Sequence, residues 1–304
     1  MTDDRTRATA ARRLTTARAL AVILLLATAA CAPKRLALPS GPGTPTAEFQ
    51  APFDQASISC RGVRTLRTTI RLAGRAGGQR MRGTLIAGLA QPDALRLEGV
   101  APFGPPAFIL VAHDESATLL LPRDNRVLTG VSAADILEAL AGVRLDPAAL
   151  RALLAGCVVA DPQPAAGRVF DKGGVIKIGY GTTGYPRQRW MAIEVGHGTT
   201  AYLRQQQGQW RIVAGVLPGL EVQYGQFEAG LPRQVQIQSR ADQALAVPVN
   251  LTLTLSDLST NVTLNASAFE VDVPRDAAPM TLAELRDSGP LGVKEKGRGP
   301  TGAQ

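Results

Sequence analysis

The chain has 304 residues, 45% of them apolar, 19% charged and only 4% aromatic, with a formal charge of +8. That suits one large globular domain with tails, its core built from Leu, Val, Ile and Ala. Two histidines limit metal and acid–base chemistry. Much of the positive charge lies at the two ends of the chain, which argues against a nucleic-acid footprint on the body.

Residues 1–30 place five arginines ahead of the short apolar run "ALAVILLLATAA". This is the layout of a secretory signal, too short to span a bilayer as a permanent helix. The run ends at Cys31, and "ATAAC" resembles the cleavage and lipidation box of bacterial lipoproteins. A lipidated Cys31 with two or three acyl chains would hold the protein stably at a membrane. Residues 31–52, rich in Pro, Gly and Thr, read as the lipidated residue and a tether. The domain is expected over 53–290, with a disordered tail at 291–304.

From Val63 onward the hydrophobic period is two. In "TLRTTIRL" Leu66, Ile70 and Leu72 share one face, and in "ALRLEGV" Leu95 and Leu97 stand opposite Arg96 and Glu98. The stretch "VNLTLTLSD" sets Val249, Leu251, Leu253 and Leu255 against Asn250, Thr252, Thr254 and Ser256. This is an antiparallel sheet with one dry and one wet face. About ten or eleven such runs require strong curvature.

Between them lie "GVAPFGPPAFIL", a proline-stiffened turn with Phe103 at its tip, and two helical segments. In "VSAADILEALAG" Ser132 is the N-cap, Ile136, Leu137 and Leu140 form a stripe, and Gly142 is the stop. In "LDPAALRALLAG" Asp146 caps, Pro147 takes the first position, and Leu150, Leu153 and Leu154 face one side up to Gly156. The strand "PAFILVA" is apolar on both parities, so its outer face must be covered too. Cys60 and Cys157, the pair left in an exported chain, are expected to be bridged; the alternative is two buried thiols.

The expected architecture is α+β: a strongly curved antiparallel sheet with short helices over its concave apolar face. Helices of about ten residues reach only some 15 Å each. Either the sheet closes on itself or a cavity remains. Its candidate lining is Leu95, Leu97, Phe108, Leu110, Ile136, Leu137, Leu140, Leu150, Leu153, Leu154, Trp210, Leu251 and Leu253. Trp190 and Trp210 read either as cavity walls or as core.

The order "LEGV", "APFGPPA", "FILVAH", "ATLLLP" and the two helical segments, then "QWRIVAG" and "LPRQVQI", resembles the LolA/LolB lipoprotein-localisation superfamily over roughly residues 60–260. The resemblance implies a half-open β-barrel with helices over its mouth, binding lipoprotein acyl chains in an apolar cavity. For LolB-like members it implies a lipid-anchored protein on the periplasmic face of the outer membrane, receiving cargo from a periplasmic carrier. It also implies a protruding membrane-facing loop, here Pro102, Phe103 and Gly104, with Phe103 in the place of the family's Leu. The alternative for Phe103 is a ring folded back onto its own sheet. The Cys60/Cys157 pair and the extension "NASAFEVDVPRDAAPMTLAELRDSGPLG" depart from LolB.

No hydrolase elbow, zinc-protease motif or phosphate loop occurs. An enzyme, a cofactor and a metal are therefore not expected. The alternative to ligand transfer is a structural or assembly lipoprotein of the envelope, using the same fold with a filled core.

Overall fold

A computed structural model describes residues 35–114, 116–172, 175–178, 181–184, 188–241 and 247–288. The signal at 1–30, the lipidation residue Cys31 and the tail at 291–304 lie outside these residues.

The period-two pattern folds as expected. In chain order come β1 (Thr44–Thr46), helix α1 (Gln50–Arg61), β2 (Thr65–Ala76), β3 (Gln79–Ala90), β4 (Ala94–Val100), β5 (Phe108–His113), β6 (Ser116–Leu121) and β7 (Arg126–Val131). Helices α2 (Ala133–Ala141) and α3 (Pro147–Ala155) follow, then β8 (Ala166–Lys172). A separate hairpin of β9 (Val175–Ile178) and β10 (Gly181–Gly184) leads to β11 (Gln188–Glu194) and β12 (Thr200–Gln206). The chain continues through β13 (Gln209–Leu217), β14 (Leu220–Glu228), β15 (Leu231–Ser239) and β16 (Val249–Thr260). It ends with a 3-10 turn (Ala266–Phe269), β17 (Ala278–Pro279) and α4 (Leu282–Asp287).

Fifteen strands form one curved sheet in the order β1-β8-β11-β12-β13-β14-β15-β16-β2-β3-β4-β5-β6-β7-β17. All neighbours are antiparallel except β17, which runs parallel to β7. The edges β1 and β17 do not pair with each other, so the sheet is open. The count exceeds the ten or eleven strands expected. β1 and β17 have three and two residues, too few to show a period. β1 and the first residues of α1 also fall inside the 31–52 stretch read as tether. Phe49 explains this locally: it lies so close on β8 that a Cβ on Gly167 would stand 2.4 Å from its own.

Alternation decides which side chains face in. On β2 Leu66, Ile70 and Leu72 are buried while Arg67 and Arg71 are exposed. Thr68 also faces in, and its hydroxyl donates to the Ser256 carbonyl at 2.9 Å, which satisfies it. The two helices start where their caps dictate. Ser132 accepts from the Asp135 amide at 3.1 Å, and Asp146 from the Ala149 amide at 2.7 Å. Gly142 and Gly156 end them at φ 72° and 94°, left-handed values that favour glycine.

The doubly apolar β5 is covered by the chain's own C-terminal segment. Arg96 on β4 donates to the carbonyls of Ala268 and Glu270 at 3.1 and 2.8 Å. This seats the 3-10 turn against β4 and β5, and Phe269 is buried there with Val111 and Leu120 on the convex side. The segment then pairs with β7 and delivers α4 to the edge of α2.

Candidate functional site

The concave face and its helices form one continuous apolar core. It contains Leu95, Leu97, Phe108 and Leu110 from the sheet, Ile136, Leu137 and Leu140 from α2, and Leu150, Leu153 and Leu154 from α3. Leu251 and Leu253 of β16 join them, and Trp210 packs half-buried at the periphery. The structure thus brings the residues expected to line a cavity into one place. Leu95, Leu110, Ile136 and Leu154 have no accessible surface. A side chain without accessible surface faces no space that admits a water, so at these positions the helices fill the concave face. Trp190 belongs elsewhere. It stands on the convex side of β11, opposite in parity to the core residue Met191, with Arg204 over its ring at 5.6 Å.

The helices are held in two ways. Cys60 at the end of α1 is disulfide-bonded to Cys157 just after α3, with Cα atoms 5.5 Å apart. Tyr224 donates its hydroxyl to the Cys157 carbonyl at 3.1 Å, and burial raises its phenol pKa. Arg151 of α3, also buried, donates to the Pro92 carbonyl at 3.1 Å. On the other side, Met280, just before α4, and Leu285 of α4 plug into the core beside α2. Glu284 of α4 bonds Arg126 of β7 at 2.8 Å. Arg286 approaches Glu138 of α2 at 4.0 Å. Arg144 donates to both Asp135 and Glu138.

Electrostatics follow these contacts. The Thr281 backbone amide and then the Arg126 guanidinium hold the Glu284 carboxyl down at about 2. Asp135 is lowered first by the Ser132 hydroxyl and then by Arg144. The T-x-x-E pattern at 281–284, a full capping box here, marks the start of α4 in the sequence and was missed by periodicity alone.

A cleft of 540 Å³ opens where the N-termini of α2 and α3 meet the ends of β4–β6. Small residues, Ala112, Ala133 and Ala148, form its walls, with His113, Ser132 and Asp146 at the rim. His113 is half-exposed and pairs with Asp114 at 2.8 Å, and His197 sits exposed in a turn. Among the described residues no three His, Cys, Asp or Glu side chains converge on a point where they could hold a metal ion.

At the opposite end of β4 the loop 101–107 projects from the sheet. Phe103 exposes 87% of its surface, so the ring does not fold back. The loop is braced from behind: Arg123 donates to the carbonyls of Phe103 and Pro105, and Gly104 takes φ 74° at the tip.

No family model matches the chain, and no curated protein does. Among solved structures it is similar to a LolA superfamily protein from Nitrosomonas europaea, at 10% identity and TM-score 0.42, over 73% of this chain and 97% of that one. It is also similar to a DUF1329 family protein from Desulfovibrio piger, at 10% identity and TM-score 0.43, over 74% and 98%. A third match is the lipoprotein LppX from Mycobacterium tuberculosis, at 10% identity and TM-score 0.29, over 71% and 97%.

Proposed function

We propose that the chain is a membrane-anchored bacterial lipoprotein, lipidated at Cys31, that takes acyl chains between the concave face and its helices. The observation that carries this is the open sheet whose apolar face is covered, among the described residues, by short amphipathic helices. Such a cover can separate from the sheet without breaking a single strand pairing. In the closed form the side chains of α2 and α3 occupy the space of the ligand, and entry displaces them. The proposal includes lipoprotein cargo, delivery to or insertion in the outer membrane from its periplasmic face, and a periplasmic carrier as donor. It assigns no catalytic step and no cofactor.

Phe103 is the residue we assign to the bilayer. Phe103→Glu should leave thermal unfolding unchanged, because the ring is exposed, yet abolish transfer of an acylated lipoprotein into vesicles. Unchanged transfer removes Phe103 from the proposal.

One observation favours a second reading, a structural or assembly lipoprotein without ligand: several of the expected lining residues have no accessible surface. Titrating the compact body from Pro39 onward with a fluorescent fatty-acid probe separates the two. Saturable uptake, competed by an acylated lipoprotein, supports acyl binding; no uptake supports the filled core.

A further inference from the structure

From Gln55 to Pro92 the chain carries seven arginines and neither an acidic residue nor a lysine. The fold gathers four of them. Arg71 and Arg75 on β2 and Arg80 and Arg82 on β3 stand exposed on the convex face, opposite in parity to buried Leu72, Ala76 and Met81. Arg75 lies directly across from Arg80, and Arg82 is one position on, across from Ala73. On the other flank β16 presents Asn250, Thr252 and Thr254, none of them charged. The four arginines line an open groove of 540 Å³ on this face.

This arrangement gives the isolated chain no stability. Like charges directly opposite on neighbouring strands repel. Among the described residues no carboxylate pairs with any of the four, and Arg75 reaches only the Gly78 carbonyl, at 3.0 Å. The cluster becomes favourable against an external anion.

The neighbourhood of the groove indicates which kind. Val100 pairs with Thr84 on this same convex face and is 45% exposed, and Ile86 nearby is also exposed. The loop bearing Phe103 follows Val100 directly. It leaves the sheet at the same end as the Gly77–Gly78 turn that joins the two arginine-bearing strands. Cations beside exposed aliphatic and aromatic side chains suit a bilayer interface, where phosphates lie next to the acyl boundary. The arginines are arms on an extended ladder rather than walls of a shaped pocket. That suits laterally mobile phosphates better than a single positioned ligand.

We propose that this face, Arg71, Arg75, Arg80 and Arg82 with Val100 and Phe103 at its border, docks the protein on an anionic phospholipid surface. It rests on the reading that the chain works at a membrane, and not on acyl binding. Docking would set the end of the sheet that carries Phe103 against the bilayer and leave the cleft at the helix N-termini facing away.

The test is co-sedimentation of the body from Pro39 onward with phosphatidylglycerol-containing vesicles and with pure phosphatidylcholine vesicles. Binding should be selective for the anionic vesicles and weaken with salt. A basic residue at such a surface contributes about 1 kcal/mol, so each single Arg→Gln change at these positions should weaken partition about fivefold. The quadruple Gln variant should lose binding, and the quadruple Lys variant should keep it. Cooperative thermal unfolding near or above the wild-type temperature confirms that the variants fold, since removing opposed charges does not weaken the sheet. Equal binding to both vesicle types, no binding to either, or a quadruple Gln variant that still binds overturns the proposal. Binding to soluble polyglutamate without binding to vesicles overturns it too. Fatty-acid uptake measured on the same samples keeps the two readings apart. Lost uptake with intact docking counts against acyl binding alone, and lost docking with intact uptake counts against this face alone.

Discussion

The two halves of the helical cover are fixed by different chemistry. The α1–α3 half is bolted: a disulfide joins its helices, and buried Tyr224 and Arg151 tie it to β14 and to the turn before β4. The α2–α4 half has no cross-link: Ile136 and Leu285 pack into the core, and exposed ion pairs latch it, Arg126 to Glu284 and Arg144 to Asp135 and Glu138. Exposed ion pairs contribute little and are screened by salt. If the cover opens for a ligand, it opens on the latched side, where nothing covalent has to break. Amide exchange should therefore be faster in α2 and α4 than in α1 and α3.

The largest expected effect comes from unbolting. Cys60→Ser with Cys157→Ser removes a cross-link spanning 97 residues. In the chain-entropy picture such a loop is worth about 4.7 kcal/mol. Urea unfolding should show a loss of that order, and the exchange rates of the two halves should converge. A double mutant that keeps the slow exchange of α1 and α3 would show that packing, not the disulfide, holds them.

Next comes the plug of the latched half. Ile136 has no accessible surface and is the deepest residue of α2. Truncating a buried aliphatic side chain to Ala costs about 2–5 kcal/mol, according to how far the site collapses. Ile136→Ala should cost an amount in that range and speed exchange in α2 and α4 while leaving α3 slow. The space it leaves lies where the proposed ligand enters, so fatty-acid uptake should rise. Equal loosening of both halves would mean that the cover moves as one piece.

What the sequence revealed follows the range of the interactions involved. Alternation on β2 and β16, both helix caps, both glycine stops and the pairing of Cys60 with Cys157 rest on local pattern or on counting, and the structure has them. The demand for a cover over β5 was also legible, because "FILV" leaves no polar parity. What supplies that cover was not. The segment from Ala266 to Met280 has no period, and its anchors are non-local: Arg96 bonds residues 172 and 174 positions away. Which face of the sheet buries Trp190 was not legible for a related reason, since a single aromatic does not declare its parity until the register of β11 is known. The packed state of the concave face depends on how closely two helices approach a sheet, which no local pattern encodes.

The caps give a smaller and more selective test. Removing an N-cap side chain costs about 1 kcal/mol whichever helix carries it. Asp146→Ala on the bolted half and Ser132→Ala on the latched half should therefore lower global stability by similar amounts. Their local effects should differ. Ser132 both caps α2 and orients Asp135 toward Arg144, so its loss should speed exchange through α2 and α4. Loss of Asp146 should leave exchange in α3 near wild type, because Cys157 still holds the end of that helix.

The smallest effect is the one that depends on pH. Folding lowers the Glu284 carboxyl from its ordinary 4.5 to about 2, through the Thr281 amide and then Arg126. A carboxyl depressed in this way stabilises the fold fully above 4.5 and loses that contribution as the pH falls toward 2. Asp135 is lowered in the same sense and adds to the same window. Because Glu284 is exposed, acid should not unfold the domain by this route; it should release α4 from β7 and then α2 from the sheet. Protection factors corrected for intrinsic exchange should fall in α2 and α4 between pH 4.5 and 2.5 while those of α1 and α3 hold. Glu284→Gln should flatten most of that dependence, and Asp54→Asn on α1 should not. If acid loosens α3 as readily as α4, the two halves are not held separately, and entry on the latched side loses its physical basis.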